Sequence, residues 1–360
     1  MKKVLIGCII FFLVLALALG GFMAYGVVTG GFGNWGDGNM FKAELANRQT
    51  FAASSVETLD IRYHSDSVTL IESLGDEIVL EEYMTDWDES MLATVTQNSD
   101  TLRFEAGQRP IRIGINIWYS QIKIYVPKDW KGNLNVSTSS GSIRSEDDWT
   151  FTTISASASS GSVRFENVTT EGGASFKASS GSVKTGNLAI LGNLNVETTS
   201  GSIHVGDAKA MNITAKASSG SINFDGMKGA KLEAKNSSGS IRIGTADGTM
   251  DFANTSGSVQ VDKAIGGGNF QSSSGSVRVT FETVSGDVTG KATSGTVRVN
   301  LPSDASFTFE ASTSSGSIGT WFDDQLTFNE RKNRATGQVG DGKYTVRLEA
   351  SSGSVKVEKS

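Results

Sequence analysis

The sequence has little cysteine, histidine or proline: its 360 residues include 1 Cys, 2 His and 3 Pro. A single cysteine, Cys8, excludes a disulfide scaffold, and so few Cys and His side chains exclude a zinc site built from them. The low proline content excludes a collagen-like helix, although the chain has 42 Gly. A hydrophobic content of 38% with 18 Phe exceeds that of disordered tracts. We therefore expect a folded domain.

The long uncharged run near the N-terminus covers residues 4–28. It exceeds the roughly 20 residues that a helix needs to cross a bilayer, so it predicts a transmembrane helix that serves as a signal anchor. Lys2 and Lys3 precede it, which places residues 1–3 in the cytoplasm and the rest of the chain outside the cell. Cleavage after a small-residue site near Ala18 is the alternative. Residues 29–40 form a Gly-rich spacer.

A short repeated motif dominates the rest of the chain. The pattern [Ser/Thr]-Ser-Gly-[Ser/Thr]-[Ile/Val] occurs eleven times at intervals of 18 to 21 residues, apart from a last interval of 37. That last interval predicts a coil near Tyr344 that has lost the motif. The motif glycines are Gly141, Gly161, Gly181, Gly201, Gly220, Gly239, Gly257, Gly275, Gly295, Gly316 and Gly353.

Apolar residues alternate with polar ones on both sides of each motif. This period of two predicts two short strands per repeat, joined by the Ser-Gly turn. A repeat so short cannot bury its apolar face alone, so the repeats must stack. We expect an all-β fold, a parallel β-solenoid or β-roll over residues 131–360. The glycine is expected to adopt positive φ where a side chain would clash, and the motif hydroxyls to bond the turn backbone or the next coil.

Residues 41–130 lack the motif but contain alternating segments. Residues 31–130 carry 16 acids and 8 bases, whereas residues 131–360 carry 22 of each. We interpret residues 41–130 as an irregular N-terminal β cap that covers one end of the solenoid.

The segments Val56-Glu57-Thr58-Leu59-Asp60-Ile61 and Ser67-Val68-Thr69-Leu70-Ile71, followed by the Ser-Ser-Gly units, resemble a bacterial β-strand-repeat "putative adhesin" family of unknown function. That family includes LiaG-like membrane proteins associated with envelope-stress loci of Gram-positive bacteria. The resemblance covers roughly residues 50–360. It implies a repeat domain located in the cell envelope, and it supplies no catalytic residues.

A column of basic residues is the main candidate binding site. The position three residues after each motif glycine faces outward, and stacking in register would align its cations along one face to bind a polyanion such as a teichoic acid. Nearby acids, such as Glu146 and Asp262, favour the alternative of a charge-balanced structural face. The basic members are Arg144, Arg164, Lys184, Arg242, Arg278, Arg298 and Lys356.

Other candidate sites have weaker support. An acidic group around Glu82 could bind calcium, but its spacing matches no calcium loop. The tryptophans, including Trp87, Trp130 and Trp321, do not recur at the coil period and are interpreted as core or cap residues. A nucleophilic serine lacks a histidine base, since His64 and His204 are the two histidines of the chain. A pI near 5.2 argues against nucleic-acid binding. We predict no enzyme activity, no cofactor and no metal site.

These observations predict a membrane-anchored, extracytoplasmic binding module of the cell envelope. Its expected partners are the membrane, through a single-pass anchor, and an anionic wall polymer or an envelope protein. Two alternatives remain open: a self-assembling structural protein whose ends stack into filaments, and a polysaccharide-active enzyme, which is the less favoured.

Overall fold

The computed structural model describes residues 43–109 and 119–360. Within these residues no helix is long and apolar enough to cross a bilayer. The predicted transmembrane segment, residues 4–28, lies outside the described residues, as does the spacer, residues 29–40. The described chain is all-β, as the sequence predicted, with three short 3-10 helices at Ala53–Ser55, Glu89–Met91 and Asp323–Gln325.

Thirty strands follow one another along the chain. Those of the N-terminal part are β1 (Glu44–Ala52), β2 (Thr58–Tyr63), β3 (Ser67–Ser73), β4 (Glu77–Met84), β5 (Thr94–Asn98), β6 (Thr101–Glu105) and β7 (Ser120–Pro127). The next are β8 (Asn133–Thr138), β9 (Ile143–Arg144), β10 (Trp149–Phe151), β11 (Thr153–Ala158), β12 (Val163–Phe165), β13 (Val168–Thr170), β14 (Ala174–Ala178), β15 (Val183–Thr185), β16 (Leu188–Ile190), β17 (Asn193–Thr198), β18 (Ile203–Lys209) and β19 (Asn212–Ala217). The remainder are β20 (Ile222–Ser238), β21 (Ile241–Ser256), β22 (Val259–Ser272), β23 (Val277–Ala292), β24 (Val297–Leu301), β25 (Phe307–Thr313), β26 (Ile318–Thr320), β27 (Leu326–Phe328), β28 (Arg334–Val339), β29 (Tyr344–Ala350) and β30 (Val355–Lys359).

A representative coil contains three strands, β12, β13 and β14, where the sequence predicted two. The additional strand, β13, has the sequence Val-Thr-Thr, and its alternation is hidden because the polar Thr170 occupies a buried position. We call face A the stack of strands that follow the Ser-Gly turn, represented by β12. Face B is the stack represented by β13, and face C is the stack that precedes the turn, represented by β14. In β20 to β23 the three segments run together as strands of 14 to 17 residues.

Successive coils pair in parallel and in register on each face. On face A, Val163 lies between Ile143 and Val183, and on face C, Phe176 lies between Ala156 and Val196. Since alternate side chains of a strand point to opposite sides, this register stacks apolar residues on apolar residues inside the coils. The interior positions are closed to solvent, and Phe165 packs against Phe176 with ring centroids 5.6 Å apart. One continuous core therefore runs through the described coils.

The chain does not place its coils in sequence order at either end. At the N-terminal end, β2 lies between β6 and β8, and β3 lies between β7 and β9. At the C-terminal end, β29 lies between β23 and β25, and β30 lies between β24 and β26. The outermost coil at each end is therefore the second from that end in sequence, and it holds the coil beneath it in place.

Antiparallel strands cover much of both ends. In the N-terminal region, β4 pairs with β7, β1 with β4, and β5 with β6. In the C-terminal region, β28 pairs with β25 and β27 with β28. These two strands occupy the 37-residue interval between the last two motifs, so the expectation of a coil without the motif was wrong. The antiparallel hairpin has about the same number of residues as a coil, so the interval between the motifs is doubled although no additional coil is present.

Candidate functional site

The Ser-Gly corner joins face C to face A and fixes the register of both. A Cβ atom added at Gly161 would lie 1.7 Å from the carbonyl oxygen of Gly141 in the neighbouring coil, so no side chain fits there. Close stacking, not backbone conformation, is the main requirement: among the motif glycines, all of them described, only Gly239 has a positive φ, of 106°. The backbone N–H of Ser162 donates to Oγ of Ser142 at 3.2 Å. This serine ladder recurs in most coils.

The predicted basic positions do lie in one outward column on face A. They follow one another by direct strand pairing, and all the cations are exposed except Arg298, which is half-buried. Because β30 lies between β24 and β26, Lys356 comes before Gly319 in the column. The column runs Arg144, Arg164, Lys184, His204, Asn223, Arg242, Gln260, Arg278, Arg298, Lys356 and Gly319.

The cations of this column differ in how far they are paired. Arg164 lies 3.2 Å from the carboxylate of Glu166, and Arg298 lies 3.9 Å from that of Glu358. The remaining basic residues have no carboxylate within 4.0 Å among the described residues. Two of these donate instead to neutral oxygens: Arg144 to Thr69 at 3.2 Å and Arg242 to Gln260 at 3.4 Å. The free cations are Lys184, Arg278 and Lys356.

Face C is charged as well, but carboxylates pair its cations, either within a coil or across neighbouring coils. Lys177 and Glu197 are register partners 3.1 Å apart, and Glu233 lies 3.1 Å from Lys235. Further pairs on this face are Lys291 with Glu349 at 3.0 Å and Arg347 with Glu310 at 2.7 Å. The sign does not alternate at every step, since Lys216 and Lys235 are register partners, but Glu233 lies within 4.0 Å of both. Face C therefore has few unpaired cations among the described residues, whereas face A has several.

Sequence reasoning missed a buried polar cluster in the N-terminal region. Asp66 and Glu82 are fully buried, and Arg109 lies 3.0 Å from Asp66. Glu82 accepts hydrogen bonds from Tyr63 at 3.1 Å and from the backbone N–H of Ala93 at 2.8 Å. Burial, and then the Glu82 carboxylate, raise the pKa of Tyr63 well above its usual value. These hydrogen bonds satisfy the carboxylates, which indicates that the cluster joins the N-terminal strands together.

The acidic group proposed for calcium does not converge on one point. Glu82 points into the buried cluster, Glu81 accepts a hydrogen bond from Tyr83 at 2.8 Å, and Asp88 accepts from the backbone N–H of Ser90 at 2.8 Å. Within residues 43–109 and 119–360, no three His, Cys, Asp or Glu side chains are grouped as metal ligands. Of the tryptophans, Trp130 is buried and donates to the carbonyl of Val56 at 2.7 Å, while Trp87 is exposed.

Two solved structures are similar to the chain over most of its length. One is described as a "putative cell adhesion protein" from Clostridium sporogenes ATCC 15579, with 10% identity over 87% of this chain and 98% of that chain, at a TM-score of 0.21. The other is described as a "putative adhesin" from Bacteroides fragilis NCTC 9343, with 11% identity over 86% and 96% of the two chains, at a TM-score of 0.20. No curated protein matches the chain.

A family model described as Toastrack DUF4097 matches residues 56–245 and again residues 189–358. The two overlapping matches span both the N-terminal strands and the Ser-Gly coils. The resemblance to a β-strand-repeat family of unknown function is thereby confirmed. This chain belongs to the Toastrack DUF4097 family.

Proposed function

We propose that the protein is an adhesin-like binding module of the cell surface whose face A holds an anionic polymer of the envelope. The observation that supports this most is the difference between the faces: face A repeats cations that have no carboxylate partner, whereas those of face C are paired. Among the described residues, exposed cations without a carboxylate partner recur on every second or third coil of the column, about 10 to 14 Å apart, and such a series attracts a chain of phosphates.

The location rests on separate observations. Residues 4–28 would anchor the protein in the membrane, with the coils outside the cell. The absence of cysteine beyond Cys8 suits an oxidising compartment. The names of the two similar structures concern adhesion, and the LiaG-like resemblance connects the protein to envelope stress.

A binding role fits the chain better than catalysis does. Many motif hydroxyls are engaged in the serine ladder, and the register partners of His204 are Lys184 and Asn223, neither of which is a serine that the imidazole could activate. Stacking of bare solenoid ends into filaments is also less favoured, because antiparallel strands cover β6, β7 and β25.

The test is co-sedimentation of the full chain, in a mild detergent, with cell walls that retain or lack teichoic acid, over a salt series. A variant with Lys184→Ser, Arg278→Ser and Arg298→Ser is compared with a face C control carrying Lys177→Ser, Lys216→Ser and Lys291→Ser. We expect retention on complete walls that falls with salt, is lost in the face A variant and persists in the control. Equal retention of both variants would contradict the proposal.

A further inference from the structure

Building on the proposed function, we infer that face A binds its polymer at two separate subsites and not along a continuous track. The primary subsite lies at Arg278 and Arg298, and the secondary one at Lys184. Five coil steps of about 4.8 Å separate Lys184 from Arg278, or about 24 Å. The ligand class is therefore a flexible polyanion that is long enough to reach both subsites.

Face A carries a second outward column, whose positions follow those of the first by two residues in each coil. Where an acid of this position stands beside a cation, as at Glu146, Glu166 and Glu358, the two outward positions of that coil carry no net charge. The second column runs Glu146, Glu166, Gly186, Gly206, Asp225, Gly244, Asp262, Thr280, Asn300 and Glu358. Five of its ten positions are acidic, so net positive charge remains in a minority of coils.

The primary subsite comprises two adjacent coils with a cation and no acid. Arg278 and Arg298 are register partners, and the residues beside them are Thr280 and Asn300, which are also register partners. Arg278 has no carboxylate partner among the described residues, and the nearest approach to Arg298 is 3.9 Å, from Glu358 of the following coil. Two neighbouring arginines can each bind a phosphate through two N–H groups.

The secondary subsite is weaker but has the same form. Lys184 is exposed and has no carboxylate partner within the described residues, and its second-column neighbour is Gly186. The next coil carries His204 beside Gly206, so neither outward position of that coil is an acid. Towards the N-terminal end, by contrast, Arg164 is held by Glu166 at 3.2 Å.

Between the two subsites, Arg242 is tied to an acid through a hydrogen-bonded relay. Its guanidinium donates to Oε1 of Gln260 at 3.4 Å, and Nε2 of Gln260 donates to Asp262 at 2.6 Å. On its other side, the preceding coil carries Asp225 beside the uncharged Asn223. The carboxylates flanking Arg242 offset its charge, so a polyanion gains little by contacting this stretch.

Separated subsites give binding a threshold in ligand length. A short oligophosphate occupies one subsite, whereas a chain longer than about 24 Å occupies both and gains the effective concentration of a linked second contact. Calorimetric titration of the full chain in detergent with tripolyphosphate and with long-chain polyphosphate measures this directly. For the wild type we expect about a hundredfold tighter binding of the long chain.

Single substitutions distinguish binding at two subsites from binding along a uniform track. Lys184→Ser should remove the advantage of the long chain and leave tripolyphosphate binding unchanged, whereas Arg278→Ser should weaken both. Arg242→Ser, a matched loss of one cation between the subsites, should change neither by more than about twofold. The subsite proposal is overturned if affinity rises smoothly with length, or if Arg242→Ser costs as much as Arg278→Ser. Absence of binding to both polyphosphate and complete walls would overturn the proposed function as well.

Discussion

Faces A and C are built from the same repeat, yet they differ in how many of their cations have a carboxylate partner. On face C, oppositely charged residues sit on adjacent coils, as Lys177 and Glu197 do, and the ladder brings them to 3.1 Å. On face A, Arg278 is followed by Arg298 in the next coil, so stacking brings like charges together. Like charges directly opposite one another destabilise a sheet. Face C stacks like charges too, since Lys216 and Lys235 are register partners, but Glu233 lies within 4.0 Å of both. The carboxylates of face C therefore relieve this repulsion, whereas Arg278 of face A has no carboxylate partner among the described residues.

The largest expected effect comes from the corner that holds both faces in register. In Gly181→Ala, the new Cβ would lie 2.1 Å from the carbonyl oxygen of Gly161, and the coils would have to separate. We expect a loss of about 3 kcal/mol in the free energy of unfolding, measured by urea denaturation. Gly319→Ala is the control, because its Cβ would meet nothing within 4 Å. Equal stability of the two variants would contradict the stacking argument.

The second prediction concerns a substitution that places opposite charges side by side on face A, as Lys177 and Glu197 are on face C. Arg278→Glu places a carboxylate beside its register partner Arg298. We expect polymer affinity to fall about tenfold, or about 1.4 kcal/mol, while stability stays equal or rises by up to about 0.5 kcal/mol. Binding isotherms and thermal unfolding check the two parts. A parallel loss of stability would indicate that Arg278 has a structural role.

The smallest expected effect is the loss of stability at low pH when an ion-paired carboxylate of face C is protonated. Partial burial alone would raise the pKa of Glu233, but the ammonium groups of Lys235, Lys216 and Lys231 outweigh it and lower that pKa. The unfolded value is about 4.3, so the stabilising effect of these ion pairs is complete above about pH 5 and is lost as the pH falls through the lowered folded pKa.

Urea unfolding at about pH 6 and about pH 3 should therefore show a contribution of about 0.5 kcal/mol that is lost at the lower pH. Glu233→Gln should be less stable at the higher pH and should lose less on acidification. An unchanged pH dependence in this variant would exclude Glu233 as a contributor.

The sequence predicted the coils, the corner and the face A column, because each depends on a pattern that repeats at the coil period. It did not predict β13, because the polar Thr170 occupies a buried position there and hides the alternation. The sequence also did not predict the exchanged order of the coils at both ends. The pairing of β29 with β23 and β25 joins residues that are far apart in the chain, and no local pattern indicates it.

The chemistry of the column was only partly accessible from the sequence. The spacing indicated that acids lie near the cations, but not which cations they reach: Glu166 holds Arg164, whereas Glu146 pairs with none of the described basic residues. The burial of Glu82 was missed for a related reason. Its partners are distant in sequence, Tyr63 in β2 and Arg109 in the segment after β6, and no local pattern distinguishes it from the exposed acids around it.

Lysine footprinting tests the central claim most directly, because it compares both faces within one molecule. The full chain is acetylated in detergent with and without teichoic acid, and the modification rate of each lysine is measured by mass spectrometry. Polymer binding to face A should slow acetylation of Lys184 and Lys356 and leave Lys177 and Lys291 on face C unchanged. Equal protection of the two faces, or protection confined to face C, would contradict the account.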